Sequence, residues 1–186
     1  MKLFTHSVFL MLGLLALAGG GACSKSTPAG TPAVPPAATT AQSAFEAQLP
    51  KQAQPKLPTI KVWVGAEELV TEKALTGVQQ MTGMMWRTNM PEGTAMIFVH
   101  PQPRQAGYWM KNCFVPLSIA YLDTAGVILE IYDMQPHDTN SVVSAATNVR
   151  FALETPQGWF QRHNISPGAV VRTERGSLAE TFLRSQ

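Results

Sequence analysis

The chain has 186 residues, 45% of them hydrophobic and 14% charged, with a formal net charge of +2. Residues 58–175 carry nine Lys plus Arg against ten Asp plus Glu, a formal −1, so the cationic excess lies in the two ends. A nucleic-acid binder would cluster its basic residues on the folded domain, so no nucleic acid is expected as a partner.

The first 22 residues read as a targeting segment. Lys2 gives a positive start, residues 8–18 form an apolar core, and Gly19, Gly20, Gly21 and Ala22 lead to Cys23. Spanning a bilayer needs about 20 apolar residues; this core has 11, which fits a secretory signal. A cysteine directly after small residues resembles the lipobox of bacterial lipoproteins, although Gly20 stands where Leu is usual. The resemblance implies a lipidated Cys23 and a membrane partner through that anchor. Ser24 rather than Asp follows, which by the same resemblance favours the outer membrane, with the domain on its periplasmic face; ordinary signal cleavage would instead leave Cys23 incidental and the domain periplasmic or secreted. Residues 24–57 hold Ala, Pro, Thr, Ser, Gln and Lys with one aromatic, Phe45, and no apolar periodicity. Such a composition predicts a disordered, extended tether.

Ile60, Val62 and Val64 alternate with Lys61 and Trp63, which predicts a strand ending at Gly65. Leu75, Val78, Met81 and Met85 recur at helical spacing, so a short helix is expected, bent or ended by Gly83. Residues 95–100 read as a strand closed by Pro101 and Pro103, followed by strands at 107–111 and 117–122. Asp123, Thr124, Ala125 and Gly126 form a hairpin turn, with 127–133 as the returning strand. Residues 135–146 fit neither period; a loop of that length is usually functional or mobile. Val149, Phe151 and Leu153 alternate with Arg150, Ala152 and Glu154, predicting a half-buried strand with Glu154 on a solvated face. Pro156 suits a first helical turn, so a helix is expected over 157–163. A turn at Ser166, Pro167 and Gly168 precedes the last strand, 169–173, and residues 176–186 read as a tail. The pattern predicts one mainly β domain over 58–175, a sandwich or partly open barrel with two short helices.

Several runs of this chain recur in one family. M-T-G-M-M-W-R, M-I-F-V, Y-W-M-K-N-C-F-V-P-L-S-I, L-D-T-A-G-V-I, V-R-F-A-L-E and G-W-F-Q-R-H-N-I-S-P-G resemble the domain of unknown function 192 family, in order and spacing. The resemblance implies a small mainly β domain, frequent in secreted bacterial proteins, and no established activity. Cys113 stands where the family pattern has Thr, and Ser118 and Ala169 where it has Asp. A reaction relying on either Asp would be lost here.

Lys111 and Asn112, between two apolar runs, are the best candidates for a ligand site. Lys offers donors and Asn both donor and acceptor; Arg87 would add a second cation and Trp109 an apolar wall. The plainer reading makes Asn112 a turn residue and Lys111 a solvated strand end. A hydrolase or transferase would instead need Lys111 beside Asp123, Asp133 or Glu154. Seven of the nine methionines fall within 81–134, near His100, His137 and Cys113. Soft ligands select Cu(I), yet M-x-M and C-x-x-C spacings are missing, and Met is a common core filler. With Cys23 lipidated, Cys113 has no intramolecular partner and is either buried or open to an intermolecular bridge; Phe114 and Val115 beside it favour burial. The sequence calls for no cofactor. It points to an extracytoplasmic binding or accessory module for a small-molecule or cell-envelope ligand.

Overall fold

In a computed structural model, which describes residues 37–184, β1 (Thr59–Val64) buries Ile60, Val62 and Val64 and exposes Thr59 and Lys61, as its alternation dictates. The signal segment and Cys23 lie outside the described residues. Next come β2 (Glu67–Ala74), α2 (Gly77–Thr82), β3 (Thr94–Arg104), β4 (Gly107–Tyr108), β5 (Leu117–Leu122), β6 (Ile128–Met134), β7 (Val142–Val143) and β8 (Val149–Pro156). After these follow α3 (Trp159–Arg162), β9 (Val171–Thr173), β10 (Gly176–Ser177) and α4 (Leu178–Phe182); α1 (Ala37–Gln48) precedes β1. Eight strands form one sheet in the order β10-β9-β1-β2-β3-β8-β5-β6, and β4 pairs with β7 in a separate ribbon. The architecture is mainly β.

The sheet curls without closing. The start of the edge strand β6 approaches the start of β9, one strand in from the other edge, at one antiparallel bridge, Val127 with Val170, reinforced by Ile128 N–H to Ala169 O at 2.9 Å and Val171 N–H to Gly126 O at 2.8 Å. Gly126 makes that approach possible, because its φ is +82° and a Cβ there would lie 2.7 Å from the Val171 carbonyl oxygen. One face of the curl gathers Val62, Leu69, Ile97, Leu122, Phe151, Leu153 and Val171 with Trp159, Phe160 and Leu178. The opposite face holds Met96, Phe98, Leu117, Ile119, Tyr121 and Met134 beneath Met84, Met85, Met110 and Cys113. Each fully buried large side chain contributes roughly 1.5–3 kcal/mol, so both faces are needed.

Several features differ from the sequence expectation, including four short helices among the described residues in place of two and β7 within the expected 135–146 loop. The segment expected to be a disordered tether carries α1, and Leu49 and Leu57 are buried. It is stitched to the domain by Trp86 Nε1–H to Pro50 O at 2.7 Å and Gln54 Nε2–H to Gly83 O at 2.9 Å. The expected tail is instead β10 and α4, with Leu178 buried and Phe182 packed 6.2 Å from Phe151. Pro101 and Pro103 do not close β3, which runs on to Arg104 across a register break between Val99 and Arg104. Proline lacks a ladder donor, and a break of this kind is where a strand accommodates it. Pro156 ends β8 rather than opening a helix, since α3 begins at Trp159 behind the left-handed Gly158.

Candidate functional site

The W-M-K-N segment leaves β4 as a tight turn. Cys113 N–H donates to Met110 O at 3.0 Å, and Asn112 takes a left-handed φ of 60°, a conformation Asn tolerates better than most residues. Trp86 N–H donates to Asn112 O at 2.7 Å and Met110 N–H to Asp138 O at 2.8 Å, so two loops clamp the turn. Lys111 Nζ lies 2.5 Å from Glu46 of α1 and 5.6 Å from the centre of the Trp109 ring. Phe45 of the same helix stacks at a tilt on Trp109, with ring centres 6.1 Å apart. Trp109, Lys111 and Asn112 are thus brought together, and α1 lies against them.

Arg87 is set apart. Its Nη1 and Nη2 donate to the two Glu72 oxygens at 2.6 and 2.8 Å, and its side chain lines a different cavity of about 230 Å³ with Lys56 and Asn89. Burial alone would raise the Glu72 carboxyl, but the Arg87 guanidinium and the Leu57 N–H outweigh it and hold it below the usual carboxylate range.

The residue that alternation misplaced is Glu154. It is 5% exposed, not solvated, because β8 is central in the sheet, with Met96 of β3 and Ile119 of β5 opposite it. Its Oε2 is buried and has no hydrogen-bond partner among the described residues. Burial pushes the carboxyl up to about 8. A signal was available in the unbroken apolar run Phe151-Ala152-Leu153, the mark of a strand covered on both faces.

Glu154 borders a chamber of about 30 Å³, walled by Met84, Met85, Phe98, Tyr108, Trp109 and Cys113. That volume holds about one water. Tyr108 and Trp109 also line an open cleft of about 410 Å³ together with Phe45, His100, Arg104 and Ser141. Burial, then the Glu154 charge, raises the Cys113 thiol to about 12, so it is no thiolate nucleophile at neutral pH. Burial, then Arg104 and Arg150, lowers His100 to about 4, leaving a neutral imidazole whose Nε2 lies 3.3 Å from the Tyr108 hydroxyl.

Of the carboxylates considered with Lys111, none is its ion partner; Glu46 is. Asp123 Oδ1 accepts from Val127 N–H at 2.9 Å in the hairpin turn, and Asp133 accepts from the Ser118 hydroxyl. Met84, Met85, Met96, Met110 and Met134 are buried core residues, as is the free Cys113. Among the described residues, no three His, Cys, Asp or Glu side chains gather as metal ligands, and no helix is long and apolar enough to cross a membrane.

No curated protein matches the chain. Similar solved structures include two with a TM-score of 0.61 each. One, a candidate transcription regulator from Sinorhizobium meliloti 1021, is 25% identical, and the match covers 65% of this chain and 98% of that one. The other, a protein of unknown function from Novosphingobium aromaticivorans DSM 12444, is 28% identical over 64% of this chain and 90% of its own. Residues 60–173 match the family model DUF192, described as an uncharacterized ACR, which spans more than half of the chain. This chain belongs to the DUF192 family.

Proposed function

We propose that the chain is a ligand-binding module held at the cell envelope through Cys23, its ligand seated in the Tyr108–Trp109 cleft, which shares those two residues with the small chamber that Glu154 borders. The observation that carries this reading is the buried Glu154 carboxyl with one oxygen unpartnered at the edge of a chamber. An unmatched polar group in an apolar core costs about 1–3 kcal/mol, and a ligand hydroxyl or amide reaching it would relieve that cost. Aromatic and thioether walls with a few convergent polar groups are the ordinary make-up of a small-molecule site. The ligand is a small metabolite or a fragment of the cell envelope. Because Phe45 and Glu46 of α1 rest on Trp109 and Lys111, the end of the tether forms one wall.

Scanning fluorimetry of the full-length protein against a panel of metabolites and cell-wall fragments tests the binding. A ligand at 100 times its Kd adds about 2.7 kcal/mol, or roughly 5 °C or more for a domain of this size. The shift should vanish in Trp109→Ala and shrink in the Lys111→Ala, Asn112→Ala double variant. A shift that survives in both, or no shift across the panel, sinks the reading.

The envelope half has its own test. A single acyl chain holds a protein only marginally and two anchor it, so Cys23→Ser should move the protein out of the membrane fraction. Wild type and Cys23→Ser fractionating alike as soluble protein would show that the anchor does not exist.

A further inference from the structure

Beyond the Trp109 cleft, the surface around Arg150 carries a second set of features. A cleft of about 730 Å³ lies among the far stretch of β3, the start of α2 and the end of α4. Arg104, Arg150 and Arg184 line it with His100, and no acidic residue lines it among the described residues. The rest of the wall is largely apolar, including Leu75, Val99, Phe182 and Leu183.

The cations are poorly used by the fold. Arg150 Nε is buried and has no hydrogen-bond partner among the described residues. Arg104 Nε donates to the carbonyl of its own neighbour, Gln105, at 3.2 Å. Arg184 Nη2 reaches Glu180 at 3.2 Å one helical turn away, but its side chain is 76% exposed, and such exposed pairs hold weakly. The register break after Val99 sets Arg104 opposite Val149, next to Arg150, so two guanidiniums stand on paired strands. Both bear on the buried His100 imidazole between them and the Tyr108 hydroxyl, which stays neutral there. Residues 58–184 carry ten Lys plus Arg against eleven Asp plus Glu, a formal −1, yet three of those cations share one concavity. Like charges in a walled cleft focus field lines and draw in counter-ions.

We infer that this cleft is a second binding site, for an organic anion that pairs a carboxylate or phosphate head with an apolar body. Guanidinium forks match those heads with two parallel hydrogen bonds. Phe182, Leu183, Leu75 and Val99 supply the surface for the body, and the volume falls in the usual range for such sites. The inference does not rest on Glu154 or on the Trp109 cleft; the two clefts meet only at Gln80, His100 and Arg104.

Isothermal titration of the full-length protein with octyl phosphate, octanoate, octyltrimethylammonium and inorganic phosphate is the test. The two octyl anions should bind, inorganic phosphate at least tenfold more weakly, and the octyl cation not at all. Arg184→Glu, at an exposed position that should not disturb folding, should weaken both anions at least tenfold, as should Arg150→Gln. Trp109→Ala should leave them within twofold, which keeps this result separate from failure of the first site. Equal binding of the octyl cation would mean a merely apolar patch. Inorganic phosphate binding as tightly as octyl phosphate would mean an ion trap without an apolar subsite. Undiminished binding in Arg184→Glu and Arg150→Gln, or preference for a DNA duplex over the octyl anions, would equally overturn the inference.

Discussion

Glu154→Gln should make the protein more stable than wild type at pH 8, and the gap should close as the pH falls toward 4.5. The folded Glu154 carboxyl titrates at about 8, against an ordinary value of 4.5. Above 4.5 the unfolded chain therefore gives up a proton that the folded chain keeps, and stability falls with pH until the folded group also ionises. The total loss between pH 4.5 and 8 is about 4 kcal/mol. His100 works in the opposite sense. Its folded value of about 4 lies below 6.5, so stability is lost as pH falls through that window, by roughly 3 kcal/mol. From about pH 4.5 to 6.5 the two slopes nearly cancel, and wild type should look almost independent of pH. From 6.5 to 8 only Glu154 acts, and wild type should lose about 2 kcal/mol. Glu154→Gln should be flat there and rise with pH below 6.5, where His100 acts alone. Urea denaturation at half-unit pH steps reads both curves. A constant offset between wild type and variant at every pH would mean that Glu154 titrates normally and has a partner.

This residue also marks where the sequence stopped being legible. β1, with one wet face, is read directly from alternation, and β5 and β6 fall where their apolar runs put them, within a residue or two, although β5 is buried at every position. Alternation assumes a wet face, however, and β8 has none, since β3 and β5 flank it and cores cover both sides. The same assumption hid β2. Its E-E-L-V-T-E-K-A run places only Leu69, Thr71 and Ala74 inside, too few apolar side chains to signal a strand. Helix α1 was illegible for another reason. Its Ala, Thr, Ser and Gln residues carry no apolar stripe, and 12 residues make a marginal helix alone. What places it is tertiary: Phe45 on Trp109, Glu46 on Lys111, and Leu49 buried just beyond its end. The lone aromatic of the expected tether was the only hint. The turn at Asn112 and the fate of Cys113 were readable from their own neighbours, because both are local.

The sequence groups Arg87 with Lys111 as a second ligand-binding cation, and substituting Arg87 separates that role from the one its contacts suggest. Arg87 and Glu72 side chains are 16% and 12% exposed, so neither is well hydrated. Glu72 also accepts from Leu57 N–H at 2.7 Å, so the pair pins the chain that enters β1. Lys73 N–H to Pro58 O at 3.1 Å runs beside it. Arg87→Met leaves the Glu72 carboxylate buried without its cation, a loss of about 3–5 kcal/mol when a buried pair is broken from one side. Adding Glu72→Gln removes the orphaned charge, and the double variant should recover much of that loss. The sign with pH follows from Glu72, whose folded value is depressed. Its contribution is present above 4.5 and is lost as the pH falls through the folded value, so wild type and Arg87→Met should converge in acid. If Arg87→Met instead melts like wild type at pH 7 but abolishes the ligand shift seen by fluorimetry, Arg87 is a ligand contact and its pairing with Glu72 is incidental. If it melts early and still binds, Arg87 belongs to the scaffold that holds residues 49–58 against the sheet. The second outcome is expected, because all four ends of the bidentate pair are already satisfied within the fold.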